Sequence, residues 1–316
     1  MYEKRGIVFL YTISPVHVGT GQAIGVVDNP IQRERHTKHP CIAGSGIKGA
    51  LRHSWNALAG RDKQADVLAI LGPEPGSQEL YAGAANIGDA QLLLFPIRSL
   101  KNAYVYATCP LALARARRLC EAMNVSLGWE GEIPEVKEGH CLVGNTALLH
   151  AKKENGAEHK VLFLETFEYK AEPGGEQFIK NFASALVSKV IPESDSYKFF
   201  RKKLGGEGQA PDLVVLSDTD FTYFVENATL VETHVRINGK TGAADEGGLF
   251  YTENLPPEVL LLAPVMASRT RGGSQAFQAE EVLDALRDLL DGAILQIGGD
   301  ATTGRGLVVA RLVKEG

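Results

Sequence analysis

The chain has 316 residues, 44% hydrophobic and 22% charged, enough apolar material for one large globular domain or two ordinary ones. Its formal charge of −5 argues against a generic nucleic-acid binder, because phosphate contacts need lysine and arginine to displace counterions. Its four cysteines, Cys41, Cys109, Cys120 and Cys141, lie 68, 11 and 21 positions apart, so no C-x-x-C pair offers zinc or dithiol chemistry, and reduced thiols in a cytoplasmic protein are expected.

After Met1-Tyr2-Glu3-Lys4-Arg5 comes an apolar run, Ile7 to Ile13, too short for a signal peptide or a membrane span. Its β-branched and aromatic residues predict a strand ending at Ser14-Pro15. A turn follows, His17-Val18-Gly19-Thr20-Gly21, then a loop through Asn29-Pro30 to Gly44. Ser45 reads as the N-cap of a helix to Ala59, apolar at Ile47, Ala50, Leu51 and Trp55, with Gly60 as its stop. On it Lys48 and Arg52 stand four apart and share a face. Ile87 to Arg98 and Ala103 to Thr108 predict two strands of a hairpin, and Pro110 opens a helix to about Met123. Strand, helix, strand, strand, helix is the opening of a ferredoxin-like or RRM-like α+β unit.

Further on, a strand is expected near Val161 to Tyr169 and a helix near Gln177 to Val190, while Glu193 to Gly208 is polar and without clear pattern. Alternation returns at Val231, Thr233, Val235 and Ile237, breaks at Asn238-Gly239-Lys240-Thr241-Gly242, and resumes at Leu249-Phe250-Tyr251. A projecting hairpin fits, its tip from Gly242 to Gly248 being unable to bury anything. The chain closes with an amphipathic helix, Ala279 to Leu290, and two strands, Ala293 to Ile297 and Leu307 to Val313, around a glycine-rich turn. With no repeat and no linker, a single domain with insertions is expected.

Charge is unevenly placed. Between Asn29 and His53 there are five Lys or Arg, three His and one acid, Glu34: a basic island suited to one nucleic-acid face. Asp28 stands at its edge. An isolated Asp-Asn-Pro reads as an Asx turn, but a carboxylate beside Arg33, Arg35 and Lys48 lies near any phosphate they hold, where only a metal or a proton transfer makes use of it. His17 reads either as a loop cap or as a group orienting RNA, and His36 and His39 as solvated loop residues. Gly44, Gly46 and Gly49 around Ser45 cost about 1 kcal/mol each within a helix, which close approach of a ligand backbone would explain. The turn Gly298-Gly299-Asp300-Ala301-Thr302-Thr303-Gly304-Arg305-Gly306 is either a hairpin loop or a set of N–H groups aimed at a phosphate. A compact set of carboxylates or histidines for a small-phosphoester hydrolase is missing.

Together, Pro15 to Gly21, Gly25 to Thr37, Gly44 to Arg52, Gly88-Asp89-Ala90 with Phe95 to Ser99, Leu249-Phe250-Tyr251 and Gln296 to Gly306 resemble the RAMP superfamily. Within it they are similar to the repeated backbone subunit of the type III-B CRISPR effector, the Cmr complex. The resemblance implies an RRM-like palm with large insertions, and a thumb hairpin at 230–253 within one domain of residues 1–316. It implies copies stacked along a CRISPR RNA with other Cmr subunits, no membrane, and complementary target RNA cut at six-nucleotide spacing with a loosely bound divalent ion of the Mg or Mn type. A subunit that only coats the RNA is the alternative. Carried onto this chain, the resemblance makes Asp28 the catalytic group and ligand of the metal, and His17 its neighbour. It makes Ser45, Lys48, Arg52, Arg33, Arg35, Gly298, Gly299, Gly304, Arg305 and Gly306 RNA contacts, and puts Arg236, Lys240, Tyr251 and Glu253 on the thumb.

Overall fold

The computed structural model describes residues 2–21, 25–59, 64–74, 76–154, 156–273 and 275–316. Gly60, the expected helix stop, lies outside them. The first half runs β1 (Lys4–Thr12), β2 (Cys41–Ile42), α1 (Gly44–Ala59), α2 (Gln64–Leu71), β3 (Ala85–Ile87), β4 (Ala90–Arg98), β5 (Tyr104–Thr108), α3 (Pro110–Ala122) and β6 (His140–Val143). Then come β7 (His150–Glu154), β8 (Ala157–Leu164), β9 (Phe167–Ala171), α4 (Glu176–Lys189), α5 (Lys198–Lys203), β10 (Leu213–Leu216) and α6 (Asp218–Asn227). The chain ends β11 (Leu230–Ile237), β12 (Ala244–Asn254), β13 (Leu260–Ala267), α7 (Ala279–Leu290), β14 (Ala293–Gln296) and β15 (Leu307–Lys314).

One sheet carries the order β14-β15-β1-β13-β4-β5-β10-β6-β9-β8-β7, with β2 added to β4 and β3 to β13. Within it β15-β1-β13-β4 is a ferredoxin-like palm, all antiparallel, with α1 and α7 packed on one face. The fold class is as expected, but its membership differs. β5 and α3 do not complete the palm; they begin an insertion, and its third strand, second helix and fourth strand are β13, α7 and β15. The hairpin β4–β5 does form, since Phe95 to Arg98 pair with Tyr104 to Ala107. What adjacency could not show is that β13 takes the other edge of β4.

β1 reads as a continuous apolar run because both its faces are covered: Val8 and Leu10 point to the α1/α7 side, Ile7, Phe9 and Tyr11 to the side of α3 and α4. Trp55 and Phe95, both within 2% of full burial, each contribute roughly 1.5–3 kcal/mol of apolar transfer. The single strand expected near Val161 to Tyr169 is two, β8 and β9, reversed at Glu165, which holds φ 50 without glycine and so left no turn signal. Part of the polar stretch from Glu193 to Gly208 is helical, as α5. The hairpin tip also shifts. β12 starts at Ala244, and the reversal lies at Asn238 to Ala243, where the Asn238 side-chain oxygen accepts from the amides of Lys240 and Thr241.

Strand direction gathers three connections at one end of the palm. Tyr11 and Thr12, the last residues of β1, face Leu260, the first of β13, and Val308 near the start of β15. The loop leaving β1, the hairpin entering β13 and the turn entering β15 therefore meet there.

Candidate functional site

β11 and β12 form a separate two-stranded ribbon, roughly 25 Å long at the usual rise per residue. One edge of β12 pairs with β11; the other meets the loop from β1. Asn29 donates its amide to the Tyr251 carbonyl at 3.0 Å and accepts from the Glu253 amide at 2.9 Å. On the same edge the Tyr251 amide donates to Asp28 Oδ2 at 2.8 Å, and His17 Nδ1 donates to the Glu253 carbonyl at 2.7 Å. Acid and imidazole thus hang from one strand edge two residues apart, about 7 Å along the strand.

Both keep an atom in hand. Asp28 is exposed, and among the described residues nothing bonds its Oδ1. A carbonyl only accepts, so His17 carries its proton on Nδ1, and Nε2 holds the lone pair when the ring is neutral. Gly19 keeps that nitrogen clear, because a Cβ there would stand 2.8 Å from it.

Glu253, 6% exposed, holds the arrangement together. Its Oε1 accepts from Arg33 Nη2 at 2.5 Å and from the Thr229 hydroxyl at 2.8 Å; its Oε2 accepts from the Ile31 amide at 3.0 Å. Arg33 Nη1 also donates to the carbonyls of Val225 and Lys38, so this guanidinium is engaged inside the chain. The hairpin that follows is bolted to α3, where Arg115 pairs with both oxygens of Glu34. Burial opposes ionisation of Glu34, but Arg115 and Thr37 outweigh it and lower its pKa. Arg35 and His36 remain exposed at the tip. His39 does not: it is 1% exposed, packed edge-on against Phe221, and burial pushes its pKa down to about 4. The solvated-loop expectation fails there because α6 covers this arm of the loop.

The glycine-rich turn serves the backbone beside it. Gly299 donates to the His17 carbonyl at 2.8 Å and Gly306 to that of Pro15 at 2.7 Å. A Cβ at Gly298 would fall 2.2 Å from the His17 carbonyl oxygen. Arg305 pairs with Glu232 on β11, while Gly304 is exposed. Arg236 and Lys240 stand exposed along the hairpin and Tyr251 at its root.

A second positive surface lies at the start of α1. The helix begins at Gly44, one residue before Ser45, and Asp89 caps it by accepting the Gly44 amide at 2.8 Å; Ser45 is exposed in the first turn. Lys48 lines a cavity of about 430 Å³ with Tyr81 and Asn86, and among the described residues no acid lines it. Burial, then the nearby Arg52, lowers the Lys48 pKa. Arg52 is partly spent, since its Nη2 donates to the Leu71 carbonyl at 3.0 Å, while its buried Nη1 has no partner among the described residues.

Among the described residues no group of three His, Cys, Asp or Glu could hold a metal ion. One exposed carboxylate with an open oxygen fits an ion that keeps most of its water and shares a phosphate, as Mg²⁺ does.

An antiparallel palm with both helices on one face, a ribbon standing on its end, and an acid and an imidazole at the ribbon's root define the class: a ferredoxin-like α+β protein with a thumb. The chain belongs to the RAMP superfamily, whose family model matches residues 9–309. It is 33% identical over 309 residues, 98% of this chain and 96% of its relative, to the CRISPR system Cmr endoribonuclease Cmr4 of Pyrococcus furiosus. To the CRISPR system CMR subunit Cmr4 of Saccharolobus solfataricus it is 23% identical over 97% of this chain and 96% of that one. The crystal structure of oligomeric Cmr4 from Pyrococcus furiosus superposes with a TM-score of 0.69 at 27% identity, covering 98% of both chains. A chain of the type III-B Cmr-beta complex bound to cognate target RNA has a TM-score of 0.71 at 19% identity over 98% of both chains, a likeness of fold alone.

Proposed function

We propose that this chain is the CRISPR RNA-binding backbone subunit of a cytoplasmic type III-B (Cmr) effector, stacking with copies of itself and other Cmr subunits. In that assembly it cuts complementary target RNA endonucleolytically at six-nucleotide intervals. The observation that carries the reading is the pairing of Asp28 and His17 on one edge of β12, at the root of a thumb spanning 230–253 in a single RAMP domain. Full-length likeness to an endoribonuclease of the Cmr system supports it.

RNA brings its own nucleophile, so the protein's task is positioning with modest acid–base help. As the 2′-oxygen bonds to phosphorus its hydroxyl loses a proton, and as the bond to the 5′-oxygen breaks that oxygen gains one. Asp28 Oδ1 and His17 Nε2 are the two open atoms placed to move these protons. Asp28 would also be the residue to hold a divalent ion of the Mg or Mn type, which would supply charge neutralisation. The products are a 2′,3′-cyclic phosphate and a 5′-hydroxyl. Lys48 and the α1 N-terminus hold the guide backbone, with Ser45 and Arg52 beside them, and Arg35 and Arg305 are further cations for the RNA.

The test is Asp28→Ala in the reconstituted complex. Assembly and target binding are expected to persist while the periodic cuts vanish. A wild-type complex that binds target without cutting it would leave the RNA-coating reading in place.

A further inference from the structure

Helix α4, in the insertion and away from the thumb, separates two surfaces of opposite character. At its start lies a slot of about 560 Å³ whose apolar lining is Ile133, Pro134 and Phe178 and whose acidic lining is Glu132, Glu135 and Glu176. The three glutamates are exposed, and among the described residues no lysine or arginine lines the slot. At the other end of α4 stands α5, tied there by Arg201, whose Nη1 donates to the carbonyls of Val187 and Ile191 at 3.0 Å each. α5 turns Phe200 toward the rings of Tyr11 and Tyr197 and leaves Phe199 67% exposed. Lys198 and Lys202 flank that ring. They share one carboxylate, Glu207, at 3.8 and 3.0 Å, so this end keeps a positive excess.

We infer that the slot receives Phe199 of a second copy of this chain, joining copies head to tail through their insertions. The inference rests on the stacking proposed above and names two faces that meet in it. Contact within one chain is excluded by length, because the 14 residues of α4 hold ring and slot roughly 21 Å apart. Between copies the ring enters the apolar lining while Lys198 and Lys202 come over the glutamates, an apolar anchor inside a charged rim. Charge also sets the direction. Slot against slot brings acids together and α5 against α5 brings cations together, so only the unlike ends attract. A contact between unlike patches that does not close into a ring continues as an open series, which is the form a stack along RNA takes.

The experiment measures self-association of the full chain by sedimentation velocity, alone and on a single-stranded RNA long enough for several copies. Phe199→Ala is expected to weaken association by about tenfold or more. The charge reversals Lys198→Glu/Lys202→Glu and Glu132→Lys/Glu135→Lys are each expected to weaken it as far, and an equal mixture of the two reversed chains to associate again. In the mixture the acidic α5 of one variant meets the basic slot of the other, and the two unreversed ends still match. Damage to folding would not be repaired by mixing. Wild-type copies that associate while all three variants do so equally overturn the inference and leave stacking intact, as does a loss that mixing fails to restore. A wild-type chain that stays single with and without RNA removes the stacked assembly and the inference together. None of these readouts depends on cutting.

Discussion

Arg33→Ala isolates what holds the Asp28 loop to the thumb. The substitution strands the Glu253 carboxylate, whose side chain is 8% exposed, with only the Ile31 amide and the Thr229 hydroxyl to serve it. Breaking one partner from a buried pair costs about 3–5 kcal/mol, and the 17% exposure of the Arg33 side chain places this case near the lower end. Two more hydrogen bonds, to Val225 and Lys38, are lost at about 1 kcal/mol each, though not additively. Against a total of about 5–15 kcal/mol the chain should still fold, with its urea midpoint clearly lowered. The loop would also lose its tie to β12, so cutting in the assembled complex should drop by about 10- to 100-fold while guide binding persists. The double variant Arg33→Ala/Glu253→Ala should lose less stability than the two single variants summed, because it leaves no unpaired charge. A change under about 0.5 kcal/mol with a normal cutting rate would show that the pair is decoration.

Three further outcomes follow from the same geometry. Chelating divalent cations should stop cutting and leave the complex assembled; dissociation on chelation would move the ion from chemistry to structure. His39, held neutral by burial with its pKa near 4 against 6.5 when free, makes the unfolded chain the better proton acceptor between those values. Stability is therefore full above pH 6.5 and falls toward pH 4, by about 3 kcal/mol at most, and His39→Gln should flatten that slope in acid melts. Lys48→Ala should weaken guide binding and reduce its salt slope by about one, whereas Arg52→Ala should first lower thermal stability by releasing the end of α2; equal effects on both readouts would merge the two roles.

Elements with strong periodicity were legible in the chain. α7 spans Ala279–Leu290 as its apolar spacing predicts, and α3 starts at Pro110. What local pattern could not carry is adjacency. The palm is split by an insertion running from the end of β4 to the start of β13, and no rule of neighbouring elements indicates that β13, far along the chain, closes on β1 and β4. Glu165 turns the chain with a positive φ and no glycine, which glycine counting overlooks.

The site divides along the same line. Asp28, His17 and the α1 cations were visible because they sit in local patterns of charge and glycine. The bonds that give them geometry were not, since Arg33 and Glu253 are 220 positions apart and Arg115 and Glu34 are 81 apart. At Gly298 and Gly306 the close approach within the chain is to His17 and Ile297, and glycine content alone cannot tell protein backbone from ligand. The topology supplies what the pattern lacks. Because β13 and β15 run antiparallel to β1, the thumb and the glycine turn must enter the palm at the end where the β1 loop leaves it. Asp28 thus meets the root of the thumb through strand direction, and Glu253 with Arg33 fixes the distance at which they meet.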